Sequence, residues 1–273
     1  MNDSLPSEVD VHGFLEAIHV RYHYDFRHYA LASVKRRLRA AQTALSVATI
    51  AELEQRVLSE PATFTRLLQY LTVQTSEMFR DPSFFATLRT EVVPVLMTYP
   101  SLKVWIAGCS TGEELYSMAI LLREAGLLER TIIYATDINP EALRKAEAGI
   151  YPIARAPTFT ENHRASGGKG SLSDYYSAAY GSIVFDRSLR KNIVFSDHSL
   201  ATDSVFAEVQ VVSCRNVLIY FDRTLQDRAL GLMKDALCRR GFLGLGTKES
   251  VRFSSYANAF TEIVPAERWF QKC

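Results

Sequence analysis

Cysteine is scarce in this chain. Cys109, Cys214, Cys238 and Cys273 form no CxxC pair and no regular spacing. That usage argues against a disulfide scaffold or a thiolate metal cluster, and reduced thiols are expected. Long apolar runs are missing as well. None approaches the ~20 residues that a membrane-spanning helix needs, so no direct membrane insertion is expected. An excess of one charge is also missing: 31 Lys+Arg stand against 30 Asp+Glu, a formal net charge of +1. No global field therefore points to nucleic acid. The opening stretch MNDSLPSEVDVHGF is polar and mildly acidic, unlike a secretory leader, and a cytoplasmic location is the expectation. What is present is an ordinary globular mixture, 48% hydrophobic and 22% charged, across 273 residues. That length suits one large domain or two modest ones.

The first ~75 residues read as helix throughout. Val11, Phe14, Leu15 and Ile18 fall at helical spacing, as do Leu31, Val34, Leu38, Ala41 and Leu45. Thr49 and Glu52 make a capping pattern before Leu53, Val57 and Leu58, and Pro61 opens a helix carrying Phe64, Leu67, Leu68 and Leu71. Short helices with short loops imply a small bundle. From about residue 103 the pattern alternates. KVWIAGC (103–109), TIIYATD (131–137), NIVFSD (192–197), EVQVVSC (208–214) and GFLGLG (241–246) read as strands. Helices are expected over 113–125, after Asn139-Pro140, and over 222–239, and the tail reads as two strands around Pro265. This order predicts an open parallel sheet with helices on both faces. Residues 151–191 interrupt it and are too long for a simple connection. SGGKGS (166–171) reads as a loop tip, and YYSAAYGSIVFDRSL as an extra helix or small strands. The expected division is a helical domain over 1–75, a linker and connecting helix over 76–100, and an α/β domain over 101–273 that contains the 151–191 insertion.

The turn AGCSTGEELYS (107–117) joins the first strand to a helix, and its Gly108 and Gly112 let backbone approach a ligand. Asp137 ends the second strand, 25 residues after Gly112, where a carboxylate commonly takes a ribose diol. The turn has neither GxGxxG spacing nor a Walker lysine. Glu113 and Glu114 would repel a pyrophosphate at this helix start. An adenosine-bearing ligand with positive charge and no phosphate resolves the conflict, and S-adenosylmethionine is such a ligand. Glutamates at a helix start also suit the helix dipole with no ligand at all.

Six longer stretches then match a known pattern. TSEMFRDPSFF (75–85), VWIAGCSTGEELYSMAI (104–120), ATDINPEAL (135–143), AGIY (148–151), VVSCRNVLIYFD (211–222) and GFLGLGTKES (241–250) resemble, in order and spacing, the CheR-type chemotaxis-receptor glutamate O-methyltransferases. The resemblance runs from about residue 25 to 273. It implies an all-α N-terminal domain before a class I methyltransferase-type doubly wound, mostly parallel sheet with a small inserted β-subdomain. It implies S-adenosylmethionine as cofactor and S-adenosylhomocysteine as product. By resemblance, Arg80 and Tyr220 sit beside the transferring methyl, and Arg80 also contacts the cofactor with Gln74 and Ser76. Gly108 lies in the cofactor turn. Glu114 and Asp137 take the amino-acid and ribose parts, and Ser199, Leu200, Arg215 and Asn216 complete the pocket. The chain departs from the family pattern at Gln74, Ser76 and Ser199, where Asn, Thr and Asn are usual, and at Leu115, where Pro is usual.

The chemistry implied is economical. A glutamate carboxylate is already ionised at neutral pH, so methyl transfer to it needs alignment and a dry site more than a general base. An arginine fork can hold such a carboxylate with one oxygen free, and a tyrosine hydroxyl can orient it. The implied partner is the cytoplasmic helical domain of a methyl-accepting chemoreceptor, met by a monomer. Lys35, Arg36 and Arg39 share one arc of a helix, and substrate docking on that face is expected over a plain solvated surface. Some family members instead bind a receptor's C-terminal tether on the subdomain and carry a glycine-flanked extra turn there. The matching stretch, 177–192, has only Gly181, so tether-free docking is expected. His19 and His23 stand four apart, but no carboxylate or cysteine completes a metal site. Cys109 and Cys214 should be buried and inert. Two alternatives stay open: a methyltransferase of the same fold acting on another acceptor, and a non-catalytic module that binds the cofactor or its product.

Overall fold

The computed structural model describes residues 6–273. Residues 1–5, the start of the expected helical domain, lie outside the described residues. Four helices come first: α1 (Glu8–Tyr22), α2 (Leu31–Leu45), α3 (Ile50–Ser59) and α4 (Pro61–Leu71). Their starts follow local rules. The Ser7 and Thr49 side chains accept the backbone N–H groups of Asp10 and Glu52, and Pro61 fills the first turn of α4. Val11, Phe14, Leu15, Ile18, Val34, Leu38, Leu53 and Val57 pack into one core that belongs to these helices. Arg37, on the same helix as the expected docking face, is turned inward and buried.

A connecting stretch, α5 (Pro82–Thr87), a π-helical turn (Leu88–Val92) and α6 (Val93–Leu96), leads to the α/β part. There β1 (Leu102–Ala107), α7 (Glu113–Glu124), β2 (Thr131–Asp137) and α8 (Pro140–Ala148) alternate as predicted. The insertion follows: β3 (Ile150–Pro152), α9 (Ala156–Ala165), β4 (Tyr176–Ala179) and β5 (Ser182–Phe185). The chain then returns through β6 (Ile193–Asp197), β7 (Val209–Cys214), α10 (Arg223–Ala236), β8 (Leu237–Leu245), β9 (Phe260–Val264) and β10 (Trp269–Lys272). The main sheet has the order β6-β2-β1-β7-β8-β10-β9, parallel except where β10 runs antiparallel to both neighbours. The insertion makes its own antiparallel sheet, β3-β5-β4.

Alternation along the strands divides the core. Val104 and Ile106 of β1 face the layer formed by the connecting stretch and α7, whereas Trp105 and Ala107 face α10. Leu115, where the family pattern has Pro, is buried in the first of these layers, so its side chain serves packing.

Of the two alternatives for YYSAAYGSIVFDRSL, the small strands form: the stretch supplies β4, β5 and a short 3-10 turn. Two details differ from the sequence expectation. Helix α9 is an addition to it; its signals are Pro157 in the first turn and the buried pair Phe159 and His163 at a spacing of four. Helix α10 stops three residues early because Leu237 turns extended and pairs with Val209.

Candidate active site

The carboxyl ends of β1 and β2 lie side by side, with Ala107 opposite Thr136. The turn after β1 is tied to β2 at once: the N–H groups of Gly108 and Cys109 both donate to the Thr136 carbonyl, at 2.8 and 2.9 Å. Ser110 N–H then donates to Asp137 Oδ2 at 2.8 Å, and Asn139 N–H to Oδ1 at 2.9 Å. Each carboxylate oxygen keeps lone-pair capacity. Burial pushes the Asp137 carboxyl above its ordinary value, and these two N–H groups oppose that shift.

A cavity of about 370 Å³ opens over this edge. Of the predicted site residues, Ser76, Arg80, Gly108, Glu114, Asp137, Leu200, Arg215, Asn216 and Tyr220 all line it. Gln74 and Ser199 do not. Gln74 donates from Nε2 to Thr72 Oγ1 at 3.2 Å, while Ser199 Oγ accepts the N–H of Ala201 within its own turn. Lys35, Arg36 and Arg39 lie outside the cavity, on α2.

The two glutamates of the turn separate. Glu113 is fully buried, paired with Arg155 and with the Thr111 hydroxyl at 2.6 Å. It does not line the cavity, whereas Glu114, the predicted site residue of the two, does. The reason is helical rotation of about 100° per residue. Glu114 accepts Ser213 Oγ at 2.6 Å and Arg215 Nη1 at 3.1 Å. Gly112 likewise serves packing: a Cβ there would sit 2.8 Å from Ala146 Cβ, at a φ of +93°. A Cβ on Gly108 would meet Val217, 2.5 Å away.

Arg215 organises the wall opposite Asp137. Its Nη2 donates to the Arg80 carbonyl at 2.7 Å and to Asp81 Oδ2 at 2.8 Å, and its guanidinium lies 4.0 Å from the Phe84 ring centroid. Asp81 is thereby taken up, and among the described residues no carboxylate pairs with Arg80. The backbone around Arg80 is held. Phe79 and Asp81 on either side are both left-handed, and Phe79 N–H donates to Ser117 Oγ at 2.8 Å. Ser110 and Asn216, which also line the cavity, are left-handed too. Such strained non-glycine positions each cost about 1–2 kcal/mol and gather at functional sites.

Several lining residues escaped the sequence reading. Arg37 and Tyr29 come from the helical part, Glu77 from the connecting stretch, and His198 from the turn after β6. Arg37 carried no signal beyond its basic neighbours. Glu249, in the stretch GTKES, carries no sequence signal of its role. It accepts the N–H groups of Asn216 at 2.9 Å, Gly246 at 2.7 Å and Ile219 at 3.3 Å, and so fixes the loop that bears Tyr220. Burial pushes its carboxyl up, against these same donors.

Among the described residues three arginines, Arg37, Arg80 and Arg215, and three acids, Glu77, Glu114 and Asp137, thus line the cavity. Ser110 Oγ and His198 Nδ1 are buried polar atoms with no hydrogen-bond partner among the described residues. Buried orphans of this kind suit a polar ligand. A balanced lining with acids at the strand ends fits a cationic adenosyl ligand better than a polyphosphate.

Comparison with known proteins agrees. A family model described as CheR methyltransferase, SAM binding domain, matches residues 74–265, and one described as CheR methyltransferase, all-alpha domain, matches residues 10–72. A protein of Pseudomonas putida that carries a provisional methyltransferase name, Cher3, is 57% identical over 272 residues, covering 100% of both chains. Chemotaxis protein methyltransferase 2 of Pseudomonas aeruginosa is 31% identical, over 82% of this chain and 78% of its own. A chemotaxis protein methyltransferase of Listeria innocua is 29% identical, over 83% of this chain and 84% of its own. No helix among the described residues is long and apolar enough to cross a membrane. The chain belongs to the CheR family of S-adenosylmethionine-dependent chemotaxis methyltransferases.

Proposed function

We propose that this chain transfers a methyl group to glutamate side chains on the cytoplasmic helical domain of a chemoreceptor-type protein, giving glutamate methyl esters and S-adenosylhomocysteine. The observation that carries this reading is Arg80. It lines the same cavity as Tyr220, its backbone is held on both sides, and its neighbouring acid Asp81 is bound to Arg215 instead. A cation so placed is ready for a carboxylate from outside.

When bound, S-adenosylmethionine supplies an electrophilic methyl on a sulfonium. Asp137 would take the ribose hydroxyls, and Glu114 the amino-acid part, with Gly108, Ser76, Leu200 and Asn216 shaping the walls. Arg80 holds the acceptor carboxylate and leaves one oxygen free to attack. The Tyr220 hydroxyl orients the acceptor from the loop that Glu249 fixes. No general base is needed, because the acceptor is ionised at neutral pH. Converting a carboxylate to an ester removes one negative charge per site, which shifts the balance of a charged signalling bundle.

The same reading assigns residues up to about 75 to a helical domain that meets the receptor through Lys35, Arg36 and Arg39, and residues from about 101 onward to the catalytic domain. It places the protein in the cytoplasm, where such receptor domains lie, and as a monomer. The deciding experiment incubates the protein with methyl-labelled cofactor and a receptor cytoplasmic fragment. Base-labile label on receptor glutamates is expected. Turnover without such label would assign another acceptor.

A further inference from the structure

The loop between α1 and α2 grips the segment that carries Tyr220. Tyr29 and Phe221 form an isolated antiparallel bridge. Ala30 N–H donates to the Tyr220 carbonyl and Asp222 N–H to the His28 carbonyl, each at 2.8 Å. His28 Nδ1 lies 2.9 Å from the Asp222 carboxylate, which also caps α10 through Leu225 N–H. The Tyr29 ring meets Phe221 edge-on, with centroids 4.9 Å apart.

Arg37 closes this clamp from α2. Its guanidinium carbon lies 4.4 Å from the Tyr220 ring centroid, and its Nη1 donates to the Leu71 carbonyl at 2.5 Å. Among the described residues its buried Nη2 has no hydrogen-bond partner, and no carboxylate pairs with it. A buried cation without a counter-ion is costly, so something must hold it in place. The face of an aromatic ring is such a partner, because its quadrupole attracts positive charge.

We infer that Arg37 is a positioning residue for Tyr220. It pins the ring with its guanidinium set over the ring, and its charge polarises the phenol so that the hydroxyl donates more strongly into the cavity. The N-terminal helical part then belongs to the methyl-transfer site as well as to docking. Helix α2 carries Arg37 on its inner side and the Lys35, Arg36 and Arg39 face elsewhere, so receptor contact and tyrosine geometry share one rigid element. This inference rests on the reading of Tyr220 as the acceptor-orienting group.

A double-mutant cycle on the full chain tests it. Arg37→Met should lower kcat about tenfold or more, while cofactor Kd and receptor-fragment KM stay within about threefold. The same substitution in a Tyr220→Phe background should change kcat by less than about threefold, because the hydroxyl it acts through is gone. Arg37→Lys keeps the charge but loses the planar guanidinium, and should recover part of the activity. Equal losses in both backgrounds, or no loss at all, overturn the inference. A second readout needs no acceptor. In fluorotyrosine-labelled protein, the fluorine resonance that Tyr220→Phe removes should shift in Arg37→Met and partly return in Arg37→Lys. An unmoved resonance overturns the clamp even where receptor methylation is normal. A shifted resonance with no ester on the receptor keeps the clamp and discards the proposed acceptor. If Arg37→Met fails to fold, Arg37→Lys and Arg37→Gln carry the same measurements.

Discussion

Arg215 Nη1 lies 3.1 Å from Glu114 Oε2, and this pair joins the end of β7 to the first turn of α7 across the cavity floor. The Arg215 side chain is 1% exposed and that of Glu114 is 15% exposed. The same guanidinium reaches Asp81 and the Arg80 carbonyl, so one cation sets the spacing between the proposed cofactor side and the proposed acceptor side.

Replacing Arg215 by Met should therefore destabilise the protein as well as the site. Removing one partner of a buried ion pair costs about 3–5 kcal/mol, because the remaining charge stays buried. Here two carboxylates lose their cation together. A clearly lower thermal midpoint and a weaker cofactor Kd are expected, by calorimetry. An unchanged midpoint would show that the pair contributes no stability.

Asp137→Ala removes an acceptor for two backbone N–H groups and for the proposed ribose diol. Cofactor affinity should fall roughly 30- to 1000-fold, the equivalent of about 2–4 kcal/mol. Wild-type affinity in a folded variant would take Asp137 out of the site. The pH dependence has a definite sign. Burial raises the folded carboxyl above its ordinary 3.8, so the ionised form costs stability. The stability contribution of Asp137 is full below the unfolded value and is lost as pH rises through the folded one. Cofactor binding uses the ionised acceptor and runs the other way. Titrated downward from neutrality, affinity should begin to fall before the ordinary aspartate range is reached. Asp137→Asn should flatten that part of the profile.

Arg80→Ala should separate turnover from binding. Misplacing a reacting group costs on the order of 100-fold in rate, while a cofactor held by Glu114 and Asp137 should lose only a few-fold in affinity. Single-turnover kinetics and calorimetry measure the two losses. Equal losses would assign Arg80 to cofactor anchoring alone.

Docking on α2 predicts salt sensitivity. Exposed charges are screened over ~8–10 Å at physiological ionic strength, so methylation should slow as salt rises. Reversing Lys35, Arg36 and Arg39 to Glu should slow it too, with cofactor affinity intact. The strands β4 and β5 are separated by only Tyr180 and Gly181, with no added turn. A receptor fragment trimmed of its last residues should therefore be methylated as fast as the intact one. Tight binding of an isolated C-terminal pentapeptide would establish a tether after all.

Much of this protein follows from local rules in its sequence. Helix starts at Ser7, Thr49, Pro61 and Asn139 need only neighbours within three residues. The alternation of Val104, Trp105, Ile106 and Ala107 between two faces is fixed by strand geometry. Spacing alone placed Asp137 and Gly108 at one sheet edge, and resemblance placed Arg80 and Tyr220 near it. What tertiary structure decided was the direction and partner of each charge. Glu113 and Glu114 are identical neighbours in sequence, yet one is buried against Arg155 and the other faces the cavity. Arg37 sits in a run of surface-type cations, and only packing against Leu71 and Tyr220 reveals it as a wall of the site. Secondary structure depends on contacts close in the chain, and the sequence carries those directly. The pairing of a charge depends on groups far away in the chain, as between Arg215 and Asp81, 134 residues apart, and these meet only once the sheet and the helical layers have closed.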